Sequence, residues 1–503
     1  MQAGRDFDLR GPLPAHQADL LSDLELPTLV GAMAQGDPLI ADVAARALLV
    51  SLPDAGAIVY RQRVLSDCLA QPEVVRELYA LAGDALAAEK QVFRSLARDS
   101  PSAIASRSAQ VLRLLADHLD ALRHTADRHA AAFASPGFDR FFATISQELD
   151  DDYLALVRRR LDQLRFAQGP TFSARLGSGN HGVDYTLLDT AAPGWLARLG
   201  FDRGGYSFTI PERDFNGFKA LGELQDRGLN VVANALAQAT DHVMSFFTML
   251  RVELAFYVGC LNLEAALRER GAPTCLPGPR AATDGGGDLP ALSATGIYDP
   301  CLALTLDGPV VGNDLRADGR SLVIITGANQ GGKSTLLRAV GVAALMSQAG
   351  MFAPARELTF TPVTGLFTHF KREEDDTMRS GKLDEELARM SIVADRISPG
   401  AMLLCNESFA STNEREGSQI AREVVRAMVD AQVRVLYVTH QFDLADGFHA
   451  AARADALFLR AGRDDTGRRT YAIEEAPPLP TSYGADSYRA VFGSELPCSE
   501  SSC

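Results

Sequence analysis

The stretch SLVIITGANQGGKSTLLRAV, residues 321–340, decides the fold of the C-terminal half of this chain. It begins with an apolar, β-branched run that predicts a buried strand over residues 321–327. The pattern G-x-x-x-x-G-K-[ST] follows at residues 327–334, and a helical pattern continues over 336–350. A strand, a glycine-rich turn and a helix in this order bind phosphate, because the N–H groups of the turn and the helix N-terminus face one anion.

Each part of this turn has a predicted role in binding a nucleotide. The residues expected to contact it are Gly327, Ala328, Asn329, Gln330, Gly331, Gly332, Lys333, Ser334 and Thr335. The Lys333 ammonium would reach the β- and γ-phosphates, and the Ser334 hydroxyl would ligate Mg²⁺. The pattern therefore predicts binding of ATP with Mg²⁺; the simpler alternative is a glycine-rich turn that holds no nucleotide.

Two further buried strands are predicted to end in polar residues at the same edge. AMLLCNE, 401–407, ends in Asn406 and Glu407, and VRVLYVTH, 433–440, ends in His440. Because the carboxyl ends of parallel strands form the ligand crevice, Glu407 is predicted to orient or deprotonate the attacking water. His440 is predicted to sense the γ-phosphate, and Asn406 to contact Mg²⁺ indirectly through water. The alternatives are that Asn406 only caps its strand, that Glu407 is a solvated acid and that His440 has a structural role.

The rest of the chain divides into regions of different texture. Helical periodicity fills the N-terminal part, with breaks at Gly36-Asp37-Pro38 and Ser135-Pro136-Gly137, whereas strands and helices alternate after residue 297. The predicted fold is multi-domain: an α-helical core or lever domain with a small β insertion, followed by a P-loop α/β ATPase domain. The predicted boundaries are 1–168 for the helical core, 169–213 for the β insertion, 214–270 for a long return helix, 271–296 for a linker, 297–495 for the ATPase domain and 496–503 for a disordered tail.

Composition limits the classes of protein that this chain can belong to. Its 503 residues carry a formal charge of −15, which argues against coating nucleic acid through bulk charge but allows a local basic patch. The arginines at 158–160 are interpreted first as a solvated helical face. Seven cysteines without a CxxC pair indicate a reducing compartment and no zinc site. Without an N-terminal apolar core or a run of about 18 apolar residues, we expect no membrane segment and a cytoplasmic location.

The loop EEDDTMRSGKLDEEL contains Ser380 and Gly381 just before a predicted helix at 382–397. Its spacing alone favours an exposed flexible loop. Binding of phosphate by the backbone of the loop is the alternative.

Four motifs, in this order, resemble those of the MutS family of mismatch-repair ATPases: ITGANQGGKSTLLR, MRSGKLDEEL, CNESFASTNEREG and VTHQFDLAD. Weaker likeness to the same family extends over residues 23–33, 60–69, 213–237, 310–320 and 482–493. The resemblance implies a P-loop ATPase domain of the MutS/ABC type. It also implies a homodimer in which Ser380 and Gly381 complete the nucleotide site of the partner.

The chain departs from the family pattern in three ways. It shows no counterpart of the N-terminal mismatch-reading domain, the clamp is reduced to residues 169–213, and Asn406 stands where the family usually has Asp. Because Lys333, Ser334, Glu407 and His440 are nevertheless all retained, the resemblance implies a working but slow ATPase that couples nucleotide state to DNA binding, with low specificity for mismatches. Its role would lie in mismatch repair or related DNA metabolism, with repair proteins as possible partners.

Two other functions compete with this interpretation. Because Asn406 removes a charge, the chain could be an ATP-gated dimeric interaction protein with negligible hydrolysis and no mismatch recognition. A transport- or chromosome-type ATPase is disfavoured, because the LSGGQ loop of those proteins is missing.

Overall fold

A computed structural model describes residues 4–52, 54–92, 100–164, 170–180, 182–188, 209–280, 290–372, 381–464 and 468–479. The chain forms two compact units, of which the first combines Met1–Ala70 with Ala255–Cys503 and the second is Gln71–Leu254. This division follows internal contacts, and the domain boundaries given above stay predictions. Each unit is described by itself.

The secondary-structure elements are numbered in chain order. The α-helices are α1 (Gln17–Asp23), α2 (Leu26–Ala34), α3 (Pro38–Leu49), α4 (Ala55–Ala70), α5 (Pro72–Gln91), α6 (Pro101–His129), α7 (Pro136–Glu148), α8 (Asp151–Gln163), α9 (Phe215–Glu269), α10 (Pro300–Thr305), α11 (Lys333–Gln348), α12 (Lys382–Ala394), α13 (Glu414–Asp430) and α14 (Phe442–Ala450). The strands are β1 (Phe172–Leu176), β2 (Gly182–Leu187), β3 (Gly278–Pro279), β4 (Leu292–Ile297), β5 (Asn313–Arg316), β6 (Leu322–Thr326), β7 (Glu357–Phe360), β8 (Leu366–Phe370), β9 (Met402–Asn406), β10 (Arg434–Val438), β11 (Ala456–Arg463) and β12 (Arg469–Glu475).

Several helices begin at a capping side chain followed by proline. Asp37 accepts from the N–H groups of Leu39 and Ile40 at the start of α3, and Ser135 accepts from Phe138 N at the start of α7. A cap satisfies N–H groups that have no partner within the helix, and proline at the first helical position removes another. The two breaks predicted from sequence at residues 36–38 and 135–137 are therefore helix N-termini.

The first unit contains a six-stranded sheet in the order β12-β11-β6-β10-β9-β8. The pairings among β11, β6, β10, β9 and β8 are all parallel, and only the edge strand β12 pairs antiparallel. This agrees with the mostly parallel sheet predicted from the alternation of strands and helices. The sheet is covered on both faces: Leu403 shares a buried cluster with side chains of α12, α13 and α14. The next residue, Leu404, approaches Gly341 of α11 on the opposite face.

A second sheet and the first four helices complete this unit. The second sheet has the order β3-β7-β4-β5 and contacts α11 through β4. Arg61 of α4 is 1% exposed, donates from Nη1 to Ala349 O at 2.8 Å and lies 5.0 Å from the ring centroid of Phe256. Since α1 contacts β8 and α3 contacts α11, the N-terminal helices pack on the predicted ATPase domain.

The second unit is mainly helical. Helix α6 contacts α5, α7 and α8, and β1 and β2 form an antiparallel hairpin that pairs Leu176 with Gly182. Several of its described arginines pair with acids: Arg158 lies 3.0 Å from Asp120, and Arg128 lies 3.1 Å from Glu77. The arginine-rich face of α8 therefore includes an ion-paired arginine, which is consistent with a solvated charged surface.

Helix α9 bears on the expectation that no segment of the chain spans a membrane. By length and composition its 55 residues could cross a membrane, whereas no such segment was expected. Within the part of the chain that the structure describes, it is the one helix that passes this test, and 56% of its most apolar window is buried within the protein. Burial in the fold accounts for the apolar composition of α9, because a core helix is apolar on much of its surface.

Candidate functional site

The parallel register places three predicted functional segments at one edge of the six-stranded sheet. Val438 at the end of β10 lies opposite Ile325 of β6 and opposite Asn406 of β9. The N–H of Glu407 donates to Val438 O at 2.9 Å, so the segments beyond β9 and β10 leave the sheet together. The glycine-rich turn starts from β6, immediately beside β10. Residues far apart in sequence thus meet because their strands end side by side.

The turn between β6 and α11 can be built only from glycine at several positions. Gly327 has φ 118° and Gly332 has φ 92°, both in the region that other residues rarely adopt. A Cβ on Gly327 would lie 2.9 Å from the Cβ of Ala461, and one on Gly331 would lie 2.8 Å from the same atom. The backbone of the turn therefore packs directly against β11. The lack of side chains at these positions also suits a phosphate-binding turn, whose N–H groups must approach the ligand closely.

Lys333 opens helix α11 and is 4% exposed. Its Nζ donates to the carbonyl oxygens of Gly327 and Ala328, each at 2.9 Å. Burial lowers the pKa of Lys333, and the negative charge of Glu407 opposes that shift. Because a buried cation is costly without a compensating anion, this ammonium is suited to meet a phosphate.

Ser334 and Asn406 are brought together across the two strand ends. The Ser334 hydroxyl donates to the Asn406 Oδ1 at 2.9 Å. Each side chain offers an oxygen atom of the kind that ligates Mg²⁺, so the pair fits a metal ion next to a bound phosphate. Neither oxygen carries a charge, and we therefore expect weaker attraction for the ion than a carboxylate at position 406 would provide.

Glu407 and His440 form the acidic and imidazole part of the site. His440 Nδ1 lies 3.7 Å from Glu407 Oε1, which is longer than an ordinary hydrogen bond and makes an ion pair when the imidazole is protonated. The side-chain interaction with His440 is the main cause that lowers the pKa of Glu407. The charges of Lys333 and Lys371 lower it further, while burial opposes them. The carboxylate is therefore ionised at neutral pH and able to accept a proton.

The other predicted site residues make fewer contacts that indicate a role in binding a nucleotide. Gln330 has φ 58°, and its Oε1 accepts from Arg469 Nη1 at 2.8 Å. Ala328 is buried, Asn329 is exposed and Thr335 is partly buried beside them. Gly381 precedes α12, and none of the hydrogen bonds among the described residues joins it to the turn at 327–334. Ser380 lies outside the described residues, as does the segment 482–493.

Several residues that shape the site were not found from sequence. Ala461 of β11 packs on the glycines, and the carbonyl of Tyr471 would lie 3.3 Å from a Cβ on Gly332. Asn313 of β5 fixes β12 by accepting from Ile473 N at 2.7 Å. Ala461 and Tyr471 lie more than 100 positions from the turn in sequence, and Asn313 lies on a different strand from its partner Ile473. No local pattern in the sequence marks these residues.

Comparisons with known proteins match both halves of the chain to models of MutS domains. The family model described as the MutS2 N-terminal domain matches residues 53–270, and the model described as MutS domain V matches residues 323–491. The second match contains the glycine-rich turn and the ends of β9 and β10. The two models together match the whole of the unit Gln71–Leu254 and part of the other unit, in which residues 1–52, 271–322 and 492–503 are not matched.

Each of the individual relatives matches only part of this chain and is a much longer protein. The chain is 28% identical over 275 residues to the DNA mismatch repair protein MutS of Chloroflexus aurantiacus, covering 51% of this chain and 28% of that protein. It is 28% identical over 176 residues to the protein of that name in Thermus aquaticus, covering 33% and 22%. It is also 26% identical over 156 residues to MutS protein homolog 4 of Mus musculus, covering 31% and 16%. The matched segments thus span between 16% and 28% of these relatives.

Substituting His440→Gln is expected to raise the pKa of Glu407 towards its ordinary value, because the neutral amide weakens the side-chain interaction and cannot supply the positive charge of a protonated imidazole. ¹³C NMR titration of the carboxyl group, assigned by comparison with Glu407→Gln, measures the shift. Since the folded pKa is lowered, the stabilisation due to the ionised Glu407 is complete above its unfolded pKa of about 4.3 and disappears as pH falls through the folded pKa. His440→Gln brings the folded pKa of Glu407 closer to its unfolded pKa, so the ionised carboxylate stabilises the fold less and this contribution is lost over a smaller pH range.

The matched control is His449→Gln, which removes a histidine that packs against Phe458 instead. It should leave the Glu407 titration unchanged. Equal titration curves for wild type and His440→Gln would contradict the assigned pairing.

Proposed function

This chain belongs to the MutS family, and on that basis we propose that it binds ATP with Mg²⁺ and hydrolyses it slowly to control engagement of DNA. The observation that carries the proposal is the convergence of Lys333, Ser334 and Glu407 at one sheet edge, with Asn406 and His440 beside them. Two of the three relatives named above are DNA mismatch repair proteins by name, and the third is named MutS protein homolog 4. Action in mismatch repair or related DNA metabolism, with repair proteins as possible partners and in the cytoplasm, is part of the same proposal.

The residues divide the work between binding and proton transfer. The glycine-rich turn offers backbone N–H groups to the phosphates, and Lys333 exchanges its carbonyl partners for phosphate oxygens. Ser334 and Asn406 would hold Mg²⁺, the latter through water. When bound, Mg²⁺ neutralises part of the charge on the phosphate oxygens. Glu407 orients the attacking water and accepts its proton, and His440 donates towards the γ-phosphate while restraining the Glu407 carboxylate.

Hydrolysis is expected to depend on two of these residues in different ways. Lys333→Ala should abolish both ATP binding and hydrolysis, because the buried cation that meets the phosphates is lost. Glu407→Gln should lower kcat by about 10²- to 10⁴-fold while ATP still binds, because only the proton acceptor is removed. Phosphate release and binding of a fluorescent ATP analogue measure the two effects. A Glu407→Gln protein that turns over at the wild-type rate would refute the assigned base.

The alternative function, an ATP-gated interaction protein with negligible hydrolysis, is favoured by the neutral Ser334–Asn406 pair. In both versions ATP would bridge two ATPase domains, with Ser380 and Gly381 of each chain completing the site of the other. The closed homodimer would be stabilised because only there does ATP touch both chains.

Asn406→Asp separates the two versions. If the native protein is already a slow enzyme, the substitution should change turnover modestly. If it is a gated binder, restoring the charge should raise kcat by on the order of tenfold or more. Sedimentation of the wild-type protein with ATP measures the dimer independently of turnover. A chain that remains monomeric with saturating ATP would contradict both versions.

The proposal of DNA binding rests on the family and on the names of the relatives. The unit Gln71–Leu254 has 20 basic and 23 acidic residues, and its ion-paired arginines do not form an obvious phosphate-binding surface. We therefore expect weak, salt-sensitive binding that shifts duplex or branched DNA in a gel at about 50 mM salt and is lost by about 200 mM. Lys333→Ala serves as the control for dependence on nucleotide. Absence of any shift at low salt, with and without ATP, would remove DNA from the proposal.

A further inference from the structure

The turn that carries Glu407 has an unfavourable backbone conformation. Glu407 has φ 53° and Phe409 has φ 61°, although neither is glycine. Such residues persist in this region only where the surrounding structure holds them, and they concentrate at functional sites. The orientation of the Glu407 carboxylate therefore depends on the groups that hold this turn in place.

Ser408, between these two residues, is held on both its backbone and its side chain. The hydroxyl of Tyr437 in β10 donates to Ser408 O at 2.6 Å. The Ser408 hydroxyl lies 2.7 Å from His369 Nδ1 and 2.7 Å from His369 O, so its single hydrogen is shared between two acceptors. Phe409 is fully buried and stacks on the His369 imidazole with ring centroids 5.5 Å apart.

The same histidine reaches a separate helix with its other nitrogen. His369 Nε2 lies 3.0 Å from the carbonyl oxygen of Glu386 in α12. A carbonyl oxygen only accepts, so Nε2 carries the hydrogen and Nδ1 accepts from Ser408. Burial, with a smaller contribution from the Arg389 charge, lowers the pKa of His369 to about 4, so the imidazole is neutral at physiological pH. The two nitrogens thus have distinct and fixed partners.

We propose that His369 is a positioning residue that orients the catalytic Glu407 through Ser408 and relays the position of α12 to it. The inference rests on the proposed role of Glu407 and extends it. Helix α12 starts at Lys382, directly after Gly381, which is expected to reach the partner chain. A displacement of α12 would act on the Glu386 carbonyl, the imidazole and Ser408 in turn.

A purely structural role is the competing explanation, since buried polar groups need partners wherever they occur. In that case substitutions would lower stability without a selective effect on turnover. Three variants separate the roles: His369→Leu removes both bonds of the imidazole, His369→Gln retains an amide donor and acceptor, and Tyr437→Phe removes only the bond to Ser408 O. Phe367→Leu is the matched control, because Phe367 lies in the same buried strand and stacks on His16 instead.

The first measurement is hydrogen exchange of the peptide over residues 406–413 in nucleotide-free protein. His369→Leu should accelerate exchange there by about tenfold or more, with the peptide over 327–334 unchanged, because Ser408 loses its imidazole partner whereas the phosphate turn loses none. Tyr437→Phe should give a smaller acceleration, and Phe367→Leu none at the turn. Unchanged exchange in His369→Leu would overturn the inference even if the protein is an active ATPase.

The second measurement separates binding from turnover. His369→Leu should lower kcat by about tenfold with the Kd for ATP altered by less than about twofold, because the base is misplaced but the phosphate turn is intact. His369→Gln should restore part of the loss. In a Glu407→Gln background, adding His369→Leu should cause no further loss, because the residue acts through Glu407. An equal fall of kcat in Phe367→Leu, or a further loss in the Glu407→Gln background, would overturn the inference.

The two readouts also separate this inference from the function on which it rests. If wild-type protein hydrolyses no ATP, the proposed function fails. A turn whose exchange still responds to His369→Leu would then leave His369 as a support of the turn only, and its role in orienting a base would be refuted.

Discussion

A buried ammonium group constrains the predicted nucleotide site. Lys333 is enclosed at the start of α11, and its hydrogen-bond partners are two carbonyl oxygens of the turn that precedes it. Carbonyl dipoles satisfy its N–H groups but do not neutralise its charge, and the nearby carboxylate of Glu407 compensates only in part. An anion with several oxygens, such as a triphosphate, would complete this arrangement. Gly327 and Gly331 of the same turn pack tightly on β11. Because these positions carry no side chain, the backbone N–H groups of the turn can face such an anion.

The parallel sheet brings the other predicted site residues close to Lys333. Because β6, β10 and β9 run in parallel and in register, the phosphate turn, the His440 segment and the Glu407 turn emerge side by side. Asn406 joins two of them through its bond to Ser334. Replacing a carboxylate by an amide at this position keeps a hydrogen-bond acceptor while removing a charge. The geometry is therefore compatible with nucleotide binding even where metal-assisted turnover is slow.

Local sequence was sufficient for features that depend on adjacent residues. The turn at 327–334, the strands β9 and β10, and the helix breaks at residues 36–38 and 135–137 all follow from short patterns, and the structure contains them, although β10 ends at Val438 and not at His440. Local sequence could not show where a helix packs. Residues 1–70 have ordinary helical periodicity, yet Arg61 binds Ala349 O in the unit that holds the phosphate turn. In the same way, a histidine within the apolar run of β8 gives no sign that it contacts the turn carrying Glu407.

The central claim, that Mg·ATP binds over the turn at 327–334, is tested most directly by isothermal titration calorimetry. Folded wild-type protein, verified by circular dichroism, should give saturable heat corresponding to one nucleotide per chain. The same protein giving no heat with Mg·ATP at any practical concentration would contradict the account. The roles assigned to Glu407, His440 and the α12 connection would then lose their basis.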